Sequence, residues 1–280
     1  MEPGVAVVAG LGGLLVGGVL NVLADDLPVR AHIRPPHYPD GSPRPLKAWL
    51  GLSAFALGER EGPPAAPANP AEEASPAVPR RNRLSWRHPL LELMTGLAFA
   101  GMTLAFADES ALWAWYVYVA ILLLIAVIDL EHRLILFAVI LPACVFALVV
   151  AAITPAEGRT LSEHLLGGVV GFLLFFAMFL GGVAFSTLTR SGEVAFGFGD
   201  VMLATLSGLM LGWRAFIFAA LIAVFAGAVG AVLYMAGRAI IGRRYRRFTP
   251  LPYGPYIVLG TLVMLLFREE VQNLLRSSTY

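Results

Sequence analysis

The sequence predicts an all-α fold: a polytopic transmembrane helix bundle of about eight spans, with one cytoplasmic loop that is largely irregular. Three observations predict it. Of the 280 residues, 58% are hydrophobic and only 14% charged, whereas a soluble domain carries about 25% charged residues. Mean hydropathy is +0.75. The apolar residues gather into runs near the ~20 residues that a helix needs to cross a hydrocarbon core.

The first run, 4–24, begins almost at Met1 with no charged segment before it, so an uncleaved span is expected rather than a signal peptide. Residues 25–88 then turn polar. Within them, 58–82 holds Pro63, Pro64, Pro67, Pro70, Pro76 and Pro79 with few aromatics, the composition of a linker or disordered tract. The part from Arg30 to Leu57 contains Tyr38, Trp49 and Phe55. It predicts a small structured patch or a membrane-surface segment, too small for a substantial core of its own. Further spans are expected at 89–107, 111–130, 134–153 and 164–188. The pair 201–213 and 214–237 must turn at Gly212-Trp213-Arg214, and its first member is short. Seven spans plus one re-entrant helix is the alternative there. The last span is expected at 251–267. Three parts result: a first span at 1–24, a cytoplasmic loop at 25–88 and a membrane core at 89–280.

Sixteen of the twenty Lys and Arg residues fall in loops facing inward if the N-terminus is outside, and four face outward. That bias orients the chain by the positive-inside rule. The cluster Arg243-Arg244-Tyr245-Arg246-Arg247 supports it and suits anionic lipid. The pairs Gly13/Gly17, Gly167/Gly171 and Gly208/Gly212 have the spacing that lets helices approach closely, and are read as packing. Cys144 is the only cysteine, in an apolar stretch where it packs. With no Cys-x-x-Cys pair, a cysteine zinc site within the chain is excluded. Neither a metal nor a cofactor is expected, and nucleic acid is not expected as a partner.

Two acids stand out against this background. Asp129 closes the third span in Ile128-Asp129-Leu130, and Asp200 follows Gly197-Phe198-Gly199. A carboxylate at membrane depth costs about 3 kcal/mol on insertion scales. The predicted topology delivers both to the cytoplasmic mouth of the bundle. Two carboxyls that meet there share a proton, so one stays protonated while the other acts as base on water. Gly197 and Gly199 suit unusual backbone angles and close approach of another chain. An acid that opens a helix gains from its positive end. Read singly, Asp200 is equally a helix N-cap and Asp129 a solvated interfacial charge. Glu92, just inside the second span, is a candidate for receiving a basic substrate segment, though an ion pair with an arginine of the chain is favoured. Asp25, Asp26, Glu131 and Glu193 read as a solvated acidic rim that could attract a basic peptide, and His132 as an interfacial solvated side chain.

Five segments together resemble the bacterial type IV prepilin peptidases, the membrane aspartic proteases with a Gly-x-Gly-Asp motif. They are Gly17–Leu23 with Leu27-Pro28, Ser85–Gly96, Ile128–Ile135, Gly197–Asp200 with Leu203 and Gly208, and Pro252-Tyr253-Gly254-Pro255-Tyr256. Their order matches and they run nearly end to end. The resemblance implies Asp129 and Asp200 as the catalytic pair of an aspartic endopeptidase. Its substrate would be a prepilin or pseudopilin, a membrane-embedded helix with a basic leader. Its place would be the bacterial cytoplasmic membrane, in type IV pilus or type II secretion assembly. The chain departs from the family where Cys-x-x-Cys zinc motifs often mark the first cytoplasmic loop. N-methylation, which the resemblance ties to that loop, is therefore in question. It also departs at Met202, where Lys is common, and at Leu136 and Phe137, where Pro and Asp or Asn are common. The competing readings are a non-catalytic membrane component of a pilus or secretion machine, and a small transporter with a two-acid proton relay. The latter calls for mid-span acids and inverted repeats, which the sequence lacks.

Overall fold

The computed structural model describes residues 3–30, 32–63, 82–106, 109–154, 160–189, 197–240 and 252–267. Nine α-helices form among them, and no strand does. They are α1 (Pro3–Asp26), α2 (Gly51–Ala56), α3 (Arg87–Ala105), α4 (Leu112–His132), α5 (Phe137–Ile153), α6 (Leu161–Thr189), α7 (Phe198–Leu211), α8 (Trp213–Ile240) and α9 (Gly254–Leu266). Eight of them sit where the hydropathy runs predicted spans. Four, namely α1, α4, α6 and α8, are long and apolar enough to cross a membrane alone. The helices α5, α7 and α9 are apolar but shorter. At ~1.5 Å per residue α7 is about 21 Å long, against a hydrocarbon core of ~30 Å. The chain divides into two units, Met1–Leu112 and Trp113–Tyr280.

In the first unit α1 packs on α3. Gly13 and Gly17 permit it: a Cβ on Gly13 would stand 2.7 Å from the Thr95 carbonyl oxygen, and one on Gly17 2.6 Å from the Glu92 Cα. Closely approached backbones of this kind give the packing role expected of these glycines. The loop after α1 carries a one-turn 3-10 helix at Leu46–Ala48, then α2. Tyr38, Ala48, Ala54 and Leu84 form a small buried cluster with Phe55 against it. Trp49, expected in this patch, stays exposed. The Arg60 guanidinium lies 4.5 Å from the Phe55 ring centre and 5.1 Å from that of Trp86. The base of the proline-rich tract is closed by hydrogen bonds: Gly62 N–H donates to Asn82 O (2.8 Å) and Asn82 Nδ2 to Pro63 O (2.9 Å). The tract itself, 64–81, lies outside the described residues, as do Glu193 and the cluster at 243–247.

The acids at the end of α1 are not the solvated rim expected from sequence. Asp25 pairs with Arg87, with His88 Nε2 at 3.2 Å and with Arg44 at 3.8 Å. Asp26 is fully buried, pairing with Arg30 at 2.9 Å and accepting the Arg34 N–H at 2.7 Å. Composition marked these charges as inward-facing but gave no sign that the loop folds back onto them.

In the second unit α7 is the centre. Its neighbours are α5, α6, α8 and α9, and ten of its fourteen residues are buried. Gly167 of α6 and Gly208 of α7 meet backbone to backbone, and a Cβ on either would overlap the other's carbonyl. A Cβ on Gly171 would stand 2.5 Å from the Ala204 carbonyl oxygen. The chain leaves α7 through Gly212 at φ 75° and enters α8 at once, a left-handed conformation that glycine adopts at little cost. Phe146 of α5 takes the edges of Trp113 and Tyr118 of α4 at 6.0 and 5.7 Å.

Candidate active site

Asp129 and Asp200 both lie in the second unit, and both are buried. Asp129 is set three residues from the end of α4, and the chain leaves that helix through Arg133 at φ 53°. A left-handed arginine is uncommon and costs about 1 kcal/mol. Here it brings the guanidinium into electrostatic reach of Asp129. Glu131 and His132, two and three residues further on, are exposed while Asp129 is not. The solvated reading of Asp129 is thus replaced by a buried carboxylate. Its Oδ2 accepts the backbone N–H of Gly254 at 3.1 Å.

Asp200 is the third residue of α7 rather than its N-cap. Its Oδ2 accepts the N–H of Gly197, the N-cap, at 3.0 Å. The acid therefore serves the free donors at the start of its own helix and sits at the positive end of the helix dipole. Gly197 adopts φ −82° and ψ 155°, an extended conformation open to any residue. Gly199 is the glycine that space demands: a Cβ there would stand 2.8 Å from Ile135 Cβ. Phe198 between them stacks on Phe137 at 6.2 Å and meets the Phe179 ring at 6.0 Å. The α4–α5 connection is thus wedged against the start of α7, with Ile135 and Phe137 as the contact.

The structure places Asp200 within the electrostatic field of Asp129. The amino end of α9 lies between their environments. Gly254 holds Asp129, and Tyr253, its neighbour, is in electrostatic reach of Asp200. Each carboxylate has one oxygen held by a backbone amide, and neither Oδ1 takes a hydrogen bond from the described residues. Chemically this leaves one oxygen of each acid for a third molecule. Residues 252–256 had been marked in the sequence only as a motif. Pro255 at the second helical position was the available signal, because it marks a helix start whose first amide has no partner inside the helix.

Glu92 belongs to the first unit. It is fully buried, and among the described residues no guanidinium pairs with it. Its carboxylate accepts the N–H groups of Gly51 (2.6 Å) and Leu52 (2.8 Å), at the start of α2, and Asn21 Nδ2 (3.2 Å). Arg44 contributes only through its field. The favoured ion pair is thus replaced by backbone donors, which sequence reasoning cannot see. Among the described residues no three His, Cys, Asp or Glu side chains stand together as a metal site. The loop also holds no cysteine. The cysteine donor set of the resembled enzymes is thus absent from this loop's sequence.

Residues 116–232 match the type IV leader peptidase family. The chain is 28% identical over 189 residues to a prepilin leader peptidase/N-methyltransferase of Stutzerimonas stutzeri, covering 67% of this chain and 61% of that protein. It is 29% identical over 254 residues to the protein of that name from Myxococcus xanthus, covering 86% and 67%. It is 28% identical over 287 residues to the one from Burkholderia pseudomallei, covering 91% and 83%. The chain thus spans under two thirds of the first of these relatives and more of the others. No solved structure matches it.

Proposed function

We propose that this chain, a homologue of prepilin leader peptidases with a type IV leader peptidase domain at 116–232, is an intramembrane aspartic endopeptidase. It removes the basic leader from prepilin or pseudopilin substrates at the cytoplasmic face. One observation carries the reading: two buried carboxylates lie in one unit, Asp200 within the field of Asp129, and each leaves one oxygen free of described partners.

Asp129 and Asp200 hold one proton between them, as close acids do. The ionised acid takes a proton from a water molecule, and the other donates its proton toward the scissile carbonyl oxygen. The water oxygen bonds to the carbonyl carbon. Collapse of the tetrahedral adduct breaks the C–N bond. The amine nitrogen takes up a proton, the leader departs with the new carboxylate, and the mature pilin keeps the amine. The backbone amides on the two Oδ2 atoms hold both acids in place throughout. The protonated acid does the polarising. The reading covers the peptidase step and not methyl transfer, for which the loop 25–88 lacks the cysteines the resemblance would require.

Replacing Asp129 or Asp200 by Ala is expected to abolish cleavage while the protein still inserts. Co-expression with a cognate prepilin, read as a size shift of the pilin, checks it. Full processing by either variant overturns the dyad. Absence of processing by the unaltered chain with every pilin-like substrate tried favours a non-catalytic component instead.

A further inference from the structure

We propose that the amino end of α9 sets the reactive geometry of the two acids, with Gly254 as the positioning residue for Asp129. This rests on the dyad reading above and adds an element to it. Gly254 is the first residue of α9, so its N–H has no carbonyl partner within the helix. It donates instead to Asp129 Oδ2 at 3.1 Å, across 125 positions of sequence.

The backbone does not explain why this residue is glycine. Among the described residues the glycines with positive φ are Gly41, Gly58 and Gly212, and Gly254 is not one of them. Space explains it. A Cβ at 254 would stand 2.5 Å from Asp129 Oδ2 and 3.0 Å from its Cγ. Any side chain there displaces the carboxylate or the helix.

The helix end is itself fixed on two sides. Tyr253 packs on Phe175 at 6.3 Å and on Tyr256 at 6.0 Å. Both tyrosine rings rest in glycine notches of α8: a Cβ on Gly227 would stand 2.9 Å from Tyr253 Cε2, and one on Gly230 would overlap the Tyr256 hydroxyl. Further along α9, Thr261 Oγ1 donates to Ser207 Oγ at 2.8 Å. Ser207 lies on α7, the helix that carries Asp200. One helix therefore grips Asp129 directly and is bonded to the helix bearing its partner.

The test uses the full-length enzyme, purified in detergent, with a cognate prepilin. For Gly254→Ala, kcat per folded molecule is expected to fall about 100-fold, the scale of an ångström's misplacement of a reacting group. KM is expected to stay within about twofold, because ground-state binding is untouched. A packing role alone would lower the yield of folded protein and leave turnover per folded molecule unchanged, and that result overturns the proposal. Asp129→Ala, assayed alongside, separates the two readings. If it cleaves normally, the dyad fails. If it is inactive while Gly254→Ala keeps normal turnover, only the positioning role fails. Should Gly254→Ala not accumulate, the double variant Gly254→Ala/Asp129→Ala decides. Removing the carboxylate relieves the overlap and restores accumulation. Failure of the double variant to accumulate also overturns the proposal.

Discussion

Glu92 ends its side chain against three donors, the amides of Gly51 and Leu52 and the side chain of Asn21. Removing the acceptor leaves all three buried without it, at about 1–3 kcal/mol for each unsatisfied group. Glu92→Ala is therefore expected to lower unfolding free energy by about 3 kcal/mol or more. Glu92→Gln keeps one carbonyl oxygen and is expected to cost about 1 kcal/mol. Thermal denaturation in detergent ranks the two. Equal midpoints would mean that the carboxylate does not hold α2. The acids illustrate what the sequence makes legible at this scale. Asp129 and Asp200 were visible because charge is rare in apolar runs. Their partners were not, because a backbone amide is the same in every residue. The Gly254 contact, 125 positions from its acid, has no local trace. The ion pairs of Asp25 and Asp26 were likewise hidden by loop folding that composition does not report.

Helices were the most legible level, since hydrophobic run length dictates them directly. Their ends were less so. The start of α7 was expected at 201 and lies at Phe198, because Asp200 caps from inside the helix and draws it back to Gly197. The turn before α8 falls at Gly212 alone, where a left-handed glycine reverses the chain in one residue. The α6–α7 contact gives a test with an internal control. Gly167→Ala drives a Cβ into the α7 backbone, while Gly181, on the same helix, has nothing within 4 Å of its Cβ position. Gly167→Ala is expected to destabilise by about 1–3 kcal/mol. Gly181→Ala is expected to be neutral or to stabilise by about 0.5–1 kcal/mol through lost chain entropy. Denaturation midpoints of the two variants, measured side by side, check the difference. A matching loss in both would remove the special role of the α6–α7 approach.

For the whole molecule, the charge bias puts the N-terminus outside and the 25–88 loop in the cytoplasm, a proposal for labelling to test. In a Cys144→Ser background, Lys47→Cys is expected to resist a membrane-impermeant maleimide on intact cells and to react after permeabilisation. Labelling of intact cells would invert the topology. Lys47 suits the purpose because it is exposed, although it pairs with Glu59. The loop's lack of cysteine is plain in the sequence, whereas its organisation around Tyr38 and the Asp25 and Asp26 pairs was not legible there. The hydrogen-bonded base at Gly62, Pro63 and Asn82 lends itself to manipulation. Two strands of chain already meet there, so the sequence between them need not bring them together. Exchanging 64–81 for a short Gly/Ser connector is expected to shift stability by less than about 1 kcal/mol. The same spot can take foreign cargo: a fluorescent protein whose own termini lie close together, grafted between Pro63 and Asn82, would give a reporter of membrane placement without touching any of the nine described helices.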